Sequence, residues 1–157
     1  KAEIDWVVRL VSEVRAVRAA MNVPAAARIP LMVKDAGETT RARLAAHEVA
    51  ILRLARLARV APLEGPVPEG VSQSVLDEAT LILPLAGIID VAEEKARLER
   101  EIAKAEGEIG RLENKLRNKG FLEKAPEEVV EENRERLAEF AAQRQKLSEA
   151  LSRIAAS

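Results

Sequence analysis

The chain has 157 residues, enough for one ordinary domain or two small ones, and its 48% hydrophobic content can fill a core. Lys and Arg total 25 against 26 Asp and Glu, a formal net charge of -1, which excludes a globally basic nucleic-acid binder such as a histone. With no Cys and a single His47, the chain has neither a disulfide framework nor a thiolate metal site nor a cysteine nucleophile. No run of eighteen apolar residues and no basic-then-apolar leader pattern occur, so a soluble cytoplasmic protein is expected, with neither a membrane nor DNA as partner. The first methionine is Met21, and Lys1 falls within an amphipathic pattern, as in a piece of something longer.

From Glu3 to Met21, Ile4, Val7, Val8, Val11 and Val14 follow the spacing of one buried helical stripe. Asn22-Val23-Pro24 ends that helix, and Arg28–Lys34 is short, apolar and followed by the turn signal Asp35-Ala36-Gly37, which predicts a strand. Thr39 or Thr40 then caps a helix running to about Leu57, with Leu44, Ile51, Leu52 and Ala55 inward. His47 lies on its apolar stripe, which predicts a packed histidine rather than a ligand. Arg59–Leu63 is expected as a second strand.

Pro62, Gly65, Pro66, Pro68 and Gly70 mark the clearest loop in the chain. Beyond it, Val71–Leu76 and Ala79–Leu85 flank Asp77-Glu78 as a hairpin. A small mixed sheet carrying one helix would bury these elements. Charge is distributed unevenly: positions 1–60 hold 11 basic and 6 acidic residues, whereas 61–90 hold none and 5.

The remaining residues repeat in heptads. Ile88, Val91, Lys95, Leu98, Ile102, Ala105, Ile109, Leu112 and Leu116 advance by threes and fours, as do Val130, Asn133, Leu137, Phe140, Arg144, Leu147, Leu151 and Ile154. Gly120 can end the first helix and Pro126 can start the second. The expected fold class is therefore α+β, a small mixed β-sheet with packed helices followed by a long antiparallel two-helix coiled-coil arm. A first helix of roughly 28 residues would extend about 40 Å, far enough to project from a small body. Gly107 and Gly110 each cost roughly 1 kcal/mol relative to Ala in a helix, which points either to a close approach at those positions or to glycines simply tolerated by packing.

No glycine-rich nucleotide loop, no Ser/His/Asp set and no His/Cys cluster is present, so no catalytic site and no cofactor are expected in this chain. The paired carboxylates Glu93-Glu94, Glu127-Glu128 and Glu131-Glu132 fall on solvated helix surface. The segment 111–124 is different, with Arg111, Lys115, Arg117, Lys119 and Lys124 against only Glu113 and Glu123. A basic hairpin end suits phosphate contacts in RNA, while Lys and Arg at a helix C-terminus equally complement the helix dipole. Arg15 and Arg18 extend the line of Ile4, Val8 and Val11 and can clamp a phosphate, an interdomain carboxylate or nothing but solvent. Phe121, in the expected turn, can either plug the hairpin end or stack on a nucleotide.

Arg15-Ala16-Val17-Arg18-Ala19-Ala20-Met21-Asn22-Val23-Pro24 resembles the end of the anticodon-binding helical domain of bacterial valyl-tRNA synthetases. Leu83-Pro84-Leu85-Ala86-Gly87-Ile88-Ile89-Asp90, Lys115–Phe121 and Ala125–Val130 resemble that family's C-terminal region in order and spacing, whereas Asn133–Glu135 and Ala138–Phe140 match its pattern more loosely. The resemblance implies a three-part division: 1–27, the last helix of the anticodon-binding domain; 28–87, a small α/β connector; 88–157, a tRNA-binding coiled-coil arm. It also implies a parent class I aminoacyl-tRNA synthetase, monomeric, that joins valine to tRNA-Val with ATP, although the family's His-Ile-Gly-His and Lys-Met-Ser-Lys-Ser type signatures are absent here. The arm would touch the outer corner of tRNA through Arg111, Lys115, Arg117, Lys119 and Lys124, with Arg15 and Arg18 as further candidates. The alternative is a non-enzymatic coiled-coil module for protein interaction or self-association.

Overall fold

The computed structural model describes residues 1–155, so the last two positions of the expected 88–157 arm lie outside the described residues. Two compact units are present, Lys1–Glu94 together with the turn that begins at Ser152, and Lys95–Leu151.

The first unit opens with α1 (Ala2–Ala20), whose Glu3 and Asp5 at the N-terminal end and Arg18 at the C-terminal end complement the helix dipole. Asn22 ends it in the left-handed region at φ 54°, and the Val23 N–H returns to the Arg18 carbonyl at 3.0 Å. A short amide side chain tolerates that conformation, and Pro24 prevents continuation. The buried face is Trp6, Val7, Leu10, Val11, Val14, Val17, Arg18 and Met21. The expected stripe is therefore rotated by about 70° around the axis. Ile4 and Val8 are 58% and 56% exposed, because the helix turns its largest apolar groups, Trp6, Leu10 and Met21, to the interior instead.

Four strands form one mixed sheet in the order β2-β1-β4-β3: β1 (Ile29–Lys34), β2 (Leu57–Pro62), β3 (Val71–Leu76) and β4 (Ala79–Pro84). Ile29, Leu31 and Val33 of β1 alternate into the core. Pro30 lacks an N–H for the ladder, and the β1/β2 register is irregular between Ile29 and Leu31, where that missing donor falls. β1 and β2 run parallel, so a crossover must join them. That crossover is two helices rather than the single one expected: α2 (Glu38–Ala46) and α3 (Glu48–Leu54). His47 breaks the run at φ −113°, ψ 15°. Its Nε2 lies 3.1 Å from Glu3, which also accepts from Arg43 Nε at 2.7 Å. His47 is thus a partly exposed hydrogen-bonding partner of α1 and not a core residue. Gly37, not Thr39 or Thr40, is the N-cap of α2, while Thr40 is buried. The second strand begins two residues early, with Leu57 opposite Ile29, because Arg56 at φ 54° reverses the chain immediately after α3.

The β3/β4 hairpin forms over the predicted residues. Its turn is anchored twice. Asp77 accepts both Arg9 Nη atoms at 3.1 and 2.9 Å, and the Glu78 carboxylate accepts the Gly37 N–H at 2.6 Å, capping α2 in place of a local side chain. After the loop, Gly70 at φ 71° receives the Leu85 and Ala86 N–H groups on its carbonyl. A β-carbon there would stand 2.9 Å from the Ala86 Cβ, so both conformation and space require glycine.

α4 (Val91–Arg117) starts after Asp90, whose Oδ1 accepts the Glu93 N–H at 3.0 Å, so Ile88 belongs to the preceding turn and not to the helix. α6 (Glu127–Ala155) starts where the Val129 and Val130 N–H groups meet the Pro126 carbonyl. Within the second unit, Leu98, Ala105 and Leu112 of α4 are buried, as are Val130, Asn133 and Ala150 of α6, and Glu106 and Arg144 pair between the helices at 3.7 Å. Arg144 is exposed rather than part of the seam: its long stem carries the guanidinium out to that carboxylate. No atom lies within 4 Å of where a β-carbon would stand on Gly107 or Gly110, so neither marks a close approach of the second helix. The fold is α+β, with a four-stranded mixed sheet, packed helices, and two long helices set against each other.

Candidate nucleic-acid interface

The junction between α4 and α6 is itself helical. Asn118 leaves helical geometry after Arg117 and its Oδ1 accepts the Phe121 N–H at 3.1 Å, starting α5 (Lys119–Lys124). Gly120 therefore lies inside this short helix, and the polar Asn118 performs the break expected of it. Ala125 is extended, as the residue before a proline must be, and Pro126 opens α6.

This arrangement gathers the predicted cations on one short stretch, all with exposed side chains. Lys115 Nζ stands 4.9 Å from the centroid of the half-buried Phe121 ring, so a cation rests on one face of that ring. Arg117 donates from Nη2 to Asn114 Oδ1 at 2.6 Å and from Nε to the Glu113 carbonyl at 3.4 Å. Arg111 pairs with Glu108 one turn back. Among the described residues no carboxylate lies within ion-pair distance of Lys115, Arg117, Lys119 or Lys124. Below them Leu112 is buried and Leu116 half-buried, and Asn133 is folded onto its own helix by a 2.7 Å bond to the Val129 carbonyl. The local chemistry is three exposed ammonium groups and two hydrogen-bonded guanidinium groups beside an apolar seam. Such groups attract phosphate oxygens and perform no bond chemistry. No group of three or more His, Cys, Asp or Glu residues able to hold a metal ion occurs among the described residues.

Arg15 and Arg18 lie in the first unit, apart in character from each other. Arg15 is exposed on α1, whereas Arg18 is 8% exposed and donates to the carbonyls of Pro24 at 2.9 Å, Arg56 at 3.3 Å and Ala25 at 3.4 Å. Burial, then the nearby charges of Arg56 and Arg28, hold its pKa below the ordinary arginine value. Arg28 and Arg56 were not singled out by sequence reasoning. They share no helical face with Arg15 and Arg18, and only the fold assembles the group.

Residues 90–155 match the family model described as the valyl tRNA synthetase tRNA binding arm, which spans the two long helices and the cations between them and sets the chain among the aminoacyl-tRNA synthetases. Over 154 residues, 98% of its length, the chain is 48% identical to the valine–tRNA ligase of Granulibacter bethesdensis. It is 51% identical over 155 residues to that of Caulobacter vibrioides and 49% over 153 to that of Mesorhizobium japonicum. The chain belongs to the valine–tRNA ligase family, and it spans 16–17% of the length of these relatives.

Proposed function

We propose that this chain is the C-terminal tRNA-binding region of a cytoplasmic enzyme that attaches valine to tRNA-Val using ATP, and that catalysis and ATP binding belong to other parts of that enzyme. In this reading 88–157 is the arm, 28–87 a connector and 1–27 the last helix of the anticodon-binding part. The arm meets the outer corner of folded tRNA, where the D and T loops join. Arg111, Lys115, Arg117, Lys119 and Lys124 neutralise backbone phosphates there, giving affinity and orientation without reading a codon. The observation that carries the reading is the coincidence of the family match at 90–155 with four cations that have no carboxylate partner among the described residues. Arg15 faces RNA as well, while Arg18, buried and with its donors occupied, contributes by shaping the 24–25 turn. The apolar seam is shared between α4 and α6, which supports a monomeric parent over a module that self-associates.

Replacing the five arm cations with Ala should weaken tRNA-Val binding by at least tenfold at low salt. It should also reduce the slope of log K against log salt by roughly 0.7 to 0.9 for each phosphate that is no longer neutralised. A gel-shift titration at two salt concentrations, with an unrelated tRNA alongside, reads both. Wild-type affinity with an unchanged slope rejects the assignment.

A further inference from the structure

The sheet of the first unit has two outer strands, β2 and β3, and they are built differently. β2 carries deterrents to a further strand. Arg59 is exposed on it, and because the Leu63 N–H reaches the Val33 carbonyl at 2.9 Å, the neighbouring Pro62 turns its donorless nitrogen to the outer side. β3, Val-Ser-Gln-Ser-Val-Leu, holds no charged residue and no proline. Leu76 and Ala79 face each other across the Asp77-Glu78 turn as a hydrogen-bonded type of pair, so alternation points the main-chain groups of Gln73 and Val75 away from β4. Among the described residues those groups find no partner on the outer side, and the Val75 side chain is 75% exposed.

Beside this edge α1 forms a wall. A groove of about 540 Å³ lies between them, lined by Val8, Arg9, Ser12, Glu13 and Ala16 of α1 and by Val75 and Leu76 of β3. Ile4, one turn from Val8 on the same helix face, is exposed as well. The charges of the groove are already matched: Asp77 accepts from both Nη atoms of Arg9, and Glu13 accepts from Arg153 Nε at 2.9 Å. An open strand edge beside a helix flank of apolar and small side chains is the geometry that receives an extended segment, main-chain bonds giving affinity and alternate side chains entering the groove. We propose that an extended, uncharged and mainly apolar segment of the parent enzyme, outside these 157 residues, adds to β3 as a further strand of the sheet. Its alternate side chains lie on Val8, Ser12, Ala16 and Val75. A charged segment would find no counter-ion, since Arg9 and Glu13 are taken. The chain spans 16–17% of the length of its relatives, and a segment tethered in the same polypeptide meets the edge at a far higher effective concentration than a second molecule does. The inference rests on the reading that the chain is one region of a longer enzyme, and it gives that enzyme an internal contact separate from RNA binding.

The test is residue-resolved amide hydrogen exchange on the full-length enzyme without tRNA. Ser74 and Leu76, whose main-chain groups face β4, serve as internal references. Gln73 and Val75 are expected to exchange within roughly tenfold of them, whereas outward amides left open to water would exchange roughly a hundredfold faster or more. Val75→Lys should restore fast exchange at Gln73, because an ammonium group is not buried unpaired in the groove. Val75→Pro, which deletes only an outward donor, should do the same while Ser74 stays protected. If Ser74 also loses protection in the proline variant, the lysine variant decides. Fast exchange at Gln73 and Val75 in the wild-type enzyme overturns the proposal. So does protection that appears only when tRNA is added, or that fades on dilution as a sedimenting dimer dissociates, since RNA or a second copy then covers the edge. The RNA reading is tested separately by the gel shift: an open edge with normal tRNA binding removes this contact alone, and a protected edge with no tRNA binding removes the RNA reading alone.

Discussion

Glu78 illustrates how one side chain can define an element's end from a distance. Its carboxylate caps α2 by accepting the Gly37 N–H, and that bond, followed by one from Thr40, lowers its pKa from the ordinary 4.5. Glu3 is lowered likewise, first by Arg43 and then by His47. A carboxylate with a depressed folded pKa adds stability that is complete above the unfolded value and is lost as pH falls through the folded one. Thermal unfolding should therefore be insensitive to these groups between pH 7 and about 5, and should fall steeply below about 4.5. Glu78→Gln should melt lower than wild type at pH 7 and show a shallower decline from pH 5 to 3. Parallel curves for the two proteins would show that the cap carries no linkage. None of this was legible in the sequence, where Glu78 is 41 positions from Gly37 and reads only as half of a turn.

Among the elements, those defined by local rules were read most faithfully. The β3/β4 hairpin fell on its predicted residues because a two-residue turn between apolar runs specifies its own partner. α4 starts after Asp90, three residues beyond Ile88, and stops at Arg117 before the expected Gly120, because Asp90 caps its first turn and Asn118 N-caps α5. The α2/α3 break and the rotation of α1 were missed because both are set by contacts with elements remote in sequence, Glu3 gripping His47 in one case and the sheet choosing Trp6 and Leu10 over Ile4 and Val8 in the other. Gly107 and Gly110 belong to the same scale. Both face open space on a regular helix, so Gly107→Ala and Gly110→Ala should each stabilise the chain by roughly 0.5 to 1 kcal/mol, readable as a higher denaturant midpoint at constant slope. Destabilisation by either change would mean that the helix needs its flexibility there.

At the scale of the whole molecule the two units differ in what holds them. The first buries Trp6, Leu10, Ile29, Leu31, Ile51, Ile82 and Leu85 almost completely, around a sheet with three strand pairings. The second relies on a single seam in which Ile102, Ile109, Leu137 and Phe140 stay half-exposed. Amide hydrogen exchange should accordingly show α4 and α6 within 95–151 opening at a lower free energy than β1 and β4, as sub-global units with fewer buried contacts do. Equal protection across both would show that the chain unfolds as one cooperative body.

The sequence by itself determined that this chain has an α+β part and a heptad-patterned helical pair, and that cations concentrate between the two helices, because periodicity, caps and charge runs act over a few residues and are written in order. It determined the family too, through motifs that are contiguous. Only the tertiary structure decided which face of α1 is buried, that His47 meets Glu3, and that Arg15, Arg18 and Arg56 line one cleft. Those outcomes depend on which distant groups can satisfy a buried charge or cover an apolar side chain, a competition settled by packing among all the elements at once.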